Sequence, residues 1–312
     1  MKKILLTGGG GFVGKHLAAE LKARGHKVFQ ADLPVIAEAN PEILSMDLCD
    51  EKSLRNVLEN VQSDVIFHLA AQANVPLSWK APVATVETNI TGSIRFFMLA
   101  AEIIPTARFI FIGSGDEYGG GCDLEHPFEE RSVCRPGNPY AVSKFSAGMI
   151  LAQQAELHGI DFIHLRPFNH FGPGQKEGFI VPDFCAQIAR IEAGLQQPVM
   201  QIGCLEAMRD LSFVSDVVAA YVLFAETEKH DQKLYNICSG IPRKMQEILD
   251  RLLKYAEVEI RTEINPARYR KPENPIFYAS NERIKQEFNW GTATDFEVGL
   301  LLTLNYWRKM YQ

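Results

Sequence analysis

Residues 3–17, KILLTGGGGFVGKHL, decide how the rest of this chain is read. Ile4, Leu5 and Leu6 form a short apolar run that ends in a glycine cluster, and Phe12, Val13, His16 and Leu17 then fall at helical spacing. The pattern is strand, tight turn, helix. Glycines at 8, 11 and 14 fit a turn in which one residue bends the chain, one admits a pyrophosphate to the backbone and one lets the helix pack on the strand. The pyrophosphate would rest on the N–H groups at the positive end of the helix, so Gly8, Gly11, Phe12, Val13 and Gly14 are the expected contacts of a dinucleotide. The same glycines also occur in ordinary strand-to-helix turns, and context gives them weight. A strand over residues 27–31 leads into Asp32, roughly 20 residues past the turn, where an acid can accept hydrogen bonds from both ribose hydroxyls. Asp32 would repel a 2′-phosphate, which favours NAD(H) and leaves NADP(H) possible, unless Asp32 is simply a solvated loop acid.

The 312 residues suffice for one large or two medium domains. A net charge of -6, with no long basic run, argues against a nucleic-acid partner. Six cysteines (Cys49, Cys122, Cys134, Cys185, Cys204, Cys238) show no C-x-x-C pair and no histidine at zinc spacing, so no metal site is expected. They suit a reducing compartment and are expected to be buried apolar fillers. The apolar run at the start is too short for a signal peptide, and no run approaches the roughly 18 residues that span a membrane. The expectation is a cytoplasmic protein.

Strand-like runs at residues 4–7, 28–32, 43–47, 65–69, 109–113 and 162–166 alternate with helical patterns, including 83–101 and 140–158. That alternation predicts an α/β fold, a doubly wound parallel sheet with helices on both faces. Beyond residue 167 the pattern is mixed, with a glycine- and proline-rich loop and a helix over about 181–194. Residues 213–237 read as a helix and strand that return to the sheet. The expected domains are 1–167 with about 213–239, and a smaller α/β region of about 168–212 and 240–312, with no flexible linker between them.

Tyr140 and Lys144, in NPYAVSK, stand four apart near a helix start and so share one face. A protonated lysine beside a phenol would lower the tyrosine pKa and make it a usable acid or base. Ser114, in FIFIGSGDEYG, falls at the carboxyl edge of the sheet, where doubly wound folds bind ligands; its plainer role is turn chemistry between Gly113 and Gly115. Asp116 and Glu117 follow as base candidates or loop acids.

With the glycine turn, Asp32, HLAAQ (68–72), Asn89-x-x-Gly92, Ser114 and Tyr140-x-x-x-Lys144 in this order, the chain resembles the extended short-chain dehydrogenase/reductase family. The resemblance implies a nicotinamide cofactor in the first domain, contacted also by Leu69, Ala70, Ala71, Asn89, Tyr140 and Lys144, with Asp47 and Leu48 flanking the adenine. It implies a sugar nucleotide in the second. Tyr140 would relay a proton to the sugar oxygen, Ser114 would share that oxygen, and Lys144 would hold the nicotinamide ribose. Asn169 in LRPFNHFGPGQ, Arg209 in RDLSFVSD and Arg270 in NPARYRKPE would grip the substrate diphosphate, with Arg268 a weaker candidate and His170 a structural histidine. The phrases FNHFGPGQ, GCLEAMRD and YNICSG look most like the GDP-mannose branch, and within it the reductases of GDP-linked 4-keto-6-deoxy-mannose. The dehydratases of that branch carry Thr-x-Glu where this chain has Ser114 and Asp116. Asp116 is a methylene shorter, with Glu117 beside it. A C4-ketone reductase is therefore expected, with a 4,6-dehydratase or C4 epimerase as the alternative and a non-catalytic nucleotide sensor as a third class. The apolar residues on helices 83–101 and 140–158 exceed what one sheet face needs and predict a homodimer.

Overall fold

The computed structural model describes residues 1–267, 269 and 274–312. Contacts divide the chain into two compact units, one of residues 1–119, 130–167 and 218–237, the other of residues 120–129, 168–217 and 238–312.

The first unit is built on a seven-stranded parallel sheet: Lys3–Thr7 (β1), Lys27–Asp32 (β2), Ile43–Ser45 (β3), Val65–His68 (β4), Arg108–Ile112 (β5), Phe162–Pro167 (β6) and Leu234–Ile237 (β7), in the order β7-β6-β5-β4-β1-β2-β3. Every residue of β4, β5 and β6 is buried, which is why β4 and β5 read as apolar runs without alternation, while β6 also buries His164 and Arg166. On one face the helix Glu51–Val61, capped by Asp50, buries Leu54, Val57, Leu58 and Val61 with Phe96, Phe97, Phe109 and Phe162. On the other, Tyr221 from the helix Val214–Glu226 stacks on Phe67. That helix and β7 are the expected return segment, and β7 pairs with β6.

Two local expectations differ. The third strand stops at Ser45 because Asp47 turns to accept the Cys49 N–H at 2.8 Å while its own N–H goes to Ser53. The predicted single helix over 83–101 is in three pieces: Pro82–Val86, a π-helical turn Glu87–Gly92, and Ser93–Ile103. The wider turn brings Asn89 inside, where it is 1 % exposed. Gly92 closes that turn because a Cβ there would lie 2.8 Å from Leu48 Cβ.

In the second unit, Asn169–Phe171, Met208–Phe213, Pro242–Lys244 and Ile276–Phe277 form one sheet, and Val199–Ile202 pairs with Arg261–Ile264. Helices Ile180–Glu192, Met245–Lys254 and Phe296–Tyr311 cover a core that includes Phe171, Phe184, Ile188, Leu249, Leu300 and Trp307. The expected first region, 1–167, takes in residues 120–129. They group with the second unit, where the Cys122 N–H binds the Ile276 carbonyl and Phe128 bridges Ala279. None of the six cysteines is in a disulfide; only Cys185 and Cys238 are buried, while Cys49 is exposed and the other three lie between. The expectation that all six are core fillers is thus corrected, because four of them fall on loops near the surface.

Among the described residues no helix is long and apolar enough to cross a membrane.

Candidate functional site

The strand order of the first unit reverses between β1 and β4, and the loops leaving their carboxyl ends meet there. Gly8 has φ +68°, and a Cβ on it would lie 2.8 Å from the Ala70 nitrogen in the loop after β4. A Cβ at Gly14 would lie 2.6 Å from the Gly8 carbonyl oxygen and 2.8 Å from Gly9 Cα, so only glycine lets the helix Phe12–Ala23 start against the turn. No side chain caps that helix, whose amino end carries Gly11, Phe12 and Val13, an arrangement of the kind that binds phosphate. Asp32, half-buried at the end of β2, accepts the Gly10 N–H at 2.9 Å and the Leu33 N–H at 2.8 Å. No lysine, arginine or histidine occurs from Leu33 to Ile43. Glycines that a Cβ would crowd, a helix start without a side-chain cap and an acid at the strand end together form a cradle that fits a dinucleotide with an unmodified ribose.

Leu69, Ala70 and Ala71 continue from β4 at this edge. The Ala70 N–H donates to Thr7 Oγ1, which pairs with His68 Nδ1 at 2.8 Å, and His68 Nε2 meets Ser93 Oγ at 2.9 Å. Burial first, and the Lys144 charge second, push His68 down to about 3, so the ring is neutral. Leu48, 4 % exposed, packs under Gly92, and its carbonyl accepts from Arg95. Asn89 joins this loop to the helix Pro139–His158: it accepts the Gln72 N–H at 2.7 Å and donates to the Gln72 carbonyl at 3.0 Å and to Ser143 Oγ at 2.9 Å. Ser143 in turn donates to the Tyr140 carbonyl at 2.7 Å.

Ser114 follows β5 by two residues and caps a short 3₁₀ helix, Gly115–Tyr118. Its Oγ accepts the Asp116 N–H at 3.1 Å, and the Glu117 carboxylate accepts the Ser114 N–H at 2.9 Å in a capping box. Turn chemistry and a place beside the phenol therefore coincide, because the Ser114 hydroxyl lies close enough to act on the Tyr140 phenol. Asp116 stands close enough to act on the same phenol by its charge.

Two expectations are overturned. Tyr140 does not have a lowered pKa: burial, then the charge of Asp116, raise it above the ordinary tyrosine value, against the smaller pull of the Ser114 hydrogen bond. Lys144 shares the helix face but sends its ammonium to the Ile112 carbonyl at 2.7 Å, with the Phe111 ring 5.0 Å away, and burial lowers it to about 8. Nor is Glu117 a base candidate. It is completely buried, with Oε1 taking His164 Nε2 at 3.0 Å and Oε2 taking Arg166 Nε at 2.8 Å. Burial pushes its carboxyl up, but these partners and the Ser114 N–H outweigh that and hold it below the usual glutamate range. The Ser114-x-x-Glu117 spacing is a capping-box signal that sequence reasoning could have used.

In the second unit Asn169 is exposed and pairs in register with Leu211, two residues from Arg209 on the neighbouring strand. Alternation along a strand puts Asn169 and Arg209 on one face of that sheet. The Arg209 guanidinium donates to the Met208 carbonyl at 2.8 Å. His170 pairs its Nδ1 with the Phe168 carbonyl at 2.9 Å, a structural role. Arg270 and Arg268 lie outside the described residues.

A parallel sheet of this order, a glycine turn closed by an acid at the next strand end, and a Ser/Tyr/Lys set on β5 and the following long helix define an extended short-chain dehydrogenase/reductase. Comparison with known proteins agrees. The model of the GDP-mannose 4,6 dehydratase family matches residues 5–301. GDP-6-deoxy-D-mannose reductase of Pseudomonas aeruginosa is 33% identical over 307 residues, 98% of this chain and 97% of that one. GDP-mannose 4,6 dehydratase 2 of Arabidopsis thaliana is 28% identical, over 80% of this chain and 67% of that one. Among solved structures, RMD from Pseudomonas aeruginosa complexed with NADPH superposes with a TM-score of 0.89 at 31% identity, covering 99% of this chain and 100% of that one. UDP-glucose 4-epimerase from Thermotoga maritima with UDP-glucose gives a TM-score of 0.86 at 28% identity, covering 99% of each chain. The chain belongs to the GDP-mannose 4,6 dehydratase family.

Proposed function

We propose that this protein is a sugar-nucleotide oxidoreductase that reduces the C4 ketone of a nucleotide-linked 4-keto-6-deoxy sugar, with GDP-4-keto-6-deoxy-D-mannose as substrate. The observation that carries the reading is the placement of Ser114 just past the carboxyl end of β5 and of Tyr140 and Lys144 on one face of the long helix. Tyr140, whose phenol keeps its proton at neutral pH, can give that proton to an oxygen gaining electrons. A bound nicotinamide supplies the hydride. Ser114 would donate a hydrogen bond to the ketone oxygen, Tyr140 would give that oxygen its proton, and Lys144, whose ammonium lies at the Ile112 carbonyl, would hold the nicotinamide ribose. Relatives that reduce, dehydrate or epimerise sugar nucleotides support the class, and the similarity to GDP-6-deoxy-D-mannose reductase over 98% of this chain supports the substrate. Sequestration of Glu117 leaves Asp116 as the one acid of the pair beside Tyr140, which favours reduction over the elimination chemistry of a dehydratase.

In this reading the first unit holds the cofactor through Gly8, Gly11, Phe12, Val13, Gly14, Asp32, Asp47, Leu48, Leu69, Ala70, Ala71 and Asn89. The second holds the diphosphate through Asn169, Arg209 and Arg270, which would fix the ketone for reaction. The Pseudomonas aeruginosa relative was solved with NADPH. Here Asp32, with no cation from Leu33 to Ile43, supports NADH as the preferred reductant and NADPH as a weaker one. Val83, Val142, Met149 and Leu157 are exposed on the two helical segments that would pair across a two-fold axis, so the working form is a homodimer, in the cytoplasm.

The test is nicotinamide absorbance with purified protein and the GDP-linked ketosugar. Stoichiometric NADH loss with formation of a 4-hydroxy sugar is expected. Turnover of the sugar nucleotide without NADH loss would replace this reading with a dehydratase or epimerase, and a monomer mass in light scattering would remove the dimer.

A further inference from the structure

Behind Ser114 lies a buried cluster that the proposed chemistry does not use. Glu117, His164 and Arg166 are 0%, 7% and 3% exposed. Arg166 also lies over the Tyr118 ring, 4.7 Å from its centre. The His164 ring occupies a slot between Gly113 and Gly148, and a Cβ on either glycine would overlap it. Gly148 stands four residues beyond Lys144 and eight beyond Tyr140, so it lies on the same face of their helix. The cluster therefore joins three things: the end of β5, the helix that bears Tyr140, and the loop that bears Ser114 and Asp116.

A buried carboxylate is expensive to dehydrate, and an apolar residue would fill the same space at lower cost. Glu117 supplies what an apolar residue cannot, an acceptor for the Ser114 N–H where the chain leaves the sheet. With that N–H held, Ser114 Oγ sits where it takes the Asp116 N–H at 3.1 Å. One lone pair of the hydroxyl is thereby engaged, which leaves its O–H to donate elsewhere. We infer that Glu117, backed by His164 and Arg166, is a positioning residue that fixes the Ser114 hydroxyl as a hydrogen-bond donor and sets Asp116 beside Tyr140. This rests on the reductase reading for its kinetic consequence, but not for its structural one.

Two substitutions separate positioning from stability. Glu117→Asp keeps the charge toward Arg166 but, one methylene shorter, loses its reach to the Ser114 N–H. Glu117→Gln keeps an acceptor for that N–H and loses the charge. Positioning predicts that the Asp variant loses about tenfold or more in kcat while its affinity for NADH is unchanged, since small misplacements at a reacting site are costly in rate. The Gln variant keeps more of its kcat although it melts lower. In a Ser114→Ala background the Asp substitution costs several-fold less in kcat, the remainder coming from the displaced Asp116, as coupled residues require. Amide hydrogen exchange at Ser114 rises about tenfold or more in the Asp variant and little in the Gln variant. A kcat that simply follows melting temperature, or an equal loss in the Ser114→Ala background, would overturn the kinetic role. Unchanged exchange at Ser114 in the Asp variant would overturn the structural one. If the unaltered protein consumes no NADH, the reductase reading fails, and exchange still decides whether Glu117 holds Ser114. Should the Gln variant not fold, the charge-retaining Asp variant carries the same test.

Discussion

Replacing Lys144 with methionine is expected to stabilise the protein at neutral pH while removing its activity. Lys144 is 4 % exposed, and burial lowers its pKa from 10.5 to about 8. The difference, 10.5 − 8, is about 2.5 units, so at pH 7 the native state carries a penalty of about 3 kcal/mol for keeping the ammonium charged. A depressed lysine pKa means that the folded protein binds fewer protons than the unfolded chain between about pH 8 and 10.5, so stability rises with pH across that window. By pH 10 the penalty has shrunk to about 1 kcal/mol. Methionine fills the same channel without the charge but gives up the hydrogen bond to the Ile112 carbonyl, worth about 1 kcal/mol. The net gain at pH 7 is about 2 kcal/mol, a rise in Tm of about 4 °C for a chain of this size. Near pH 10 the two proteins should melt together. Thermal unfolding of both from pH 7 to pH 10 measures this directly. A Met variant that melts below the natural protein at pH 7, or a gap that stays constant with pH, would refute the burial argument. Loss of NADH turnover in the same variant would mark Lys144 as a residue kept for function at the expense of stability.

Tyr140→Phe should lower kcat by a factor of about 100 to 10,000, the usual worth of a positioned acid, with NADH binding by fluorescence titration unchanged. Asp32→Ser should move the kcat/KM ratio toward NADPH by about tenfold or more, because a charge near a 2′-phosphate at the surface is worth about 1 to 4 kcal/mol; an unchanged ratio would remove Asp32 from the ribose site. Gly14→Ala should destabilise by about 1 to 3 kcal/mol and abolish NADH binding, because the new Cβ meets the Gly8 carbonyl oxygen at 2.6 Å and Gly9 Cα at 2.8 Å, backbone atoms with nowhere to go. Calorimetric binding of NADH to that variant at natural affinity would contradict it.

The legible parts of the sequence were those set by local sterics and strand burial. The run from Ile4 to Gly14 announces its turn because only glycine survives the close backbone contacts at Gly8 and Gly14, and the all-buried strands β4 and β5 show as unbroken apolar runs. Thr88, Asn89, Thr91 and Gly92 are poor helix formers, but composition does not announce a π-helical turn, because what widens it is Asn89 bonding to Gln72 and Ser143, residues distant in sequence. The electrostatics of the site were misjudged for a related reason. A four-residue spacing puts Lys144 and Tyr140 on one face, but where the ammonium points depends on the Ile112 carbonyl of another element. In sequence Glu117 stands only as a base candidate or a loop acid, because its two partners, His164 and Arg166, come from β6, nearly fifty positions later.

The Asn89 linkage has a mechanical consequence. Through Gln72, Asn89, Ser143 and the Tyr140 carbonyl, the loop after β4 and the first turn of the long helix are fastened together by hydrogen bonds that leave no slack. A molecule seated against one end would therefore tug on the other, so that loading the nucleotide pocket and aiming the phenol become a single event rather than two independent adjustments.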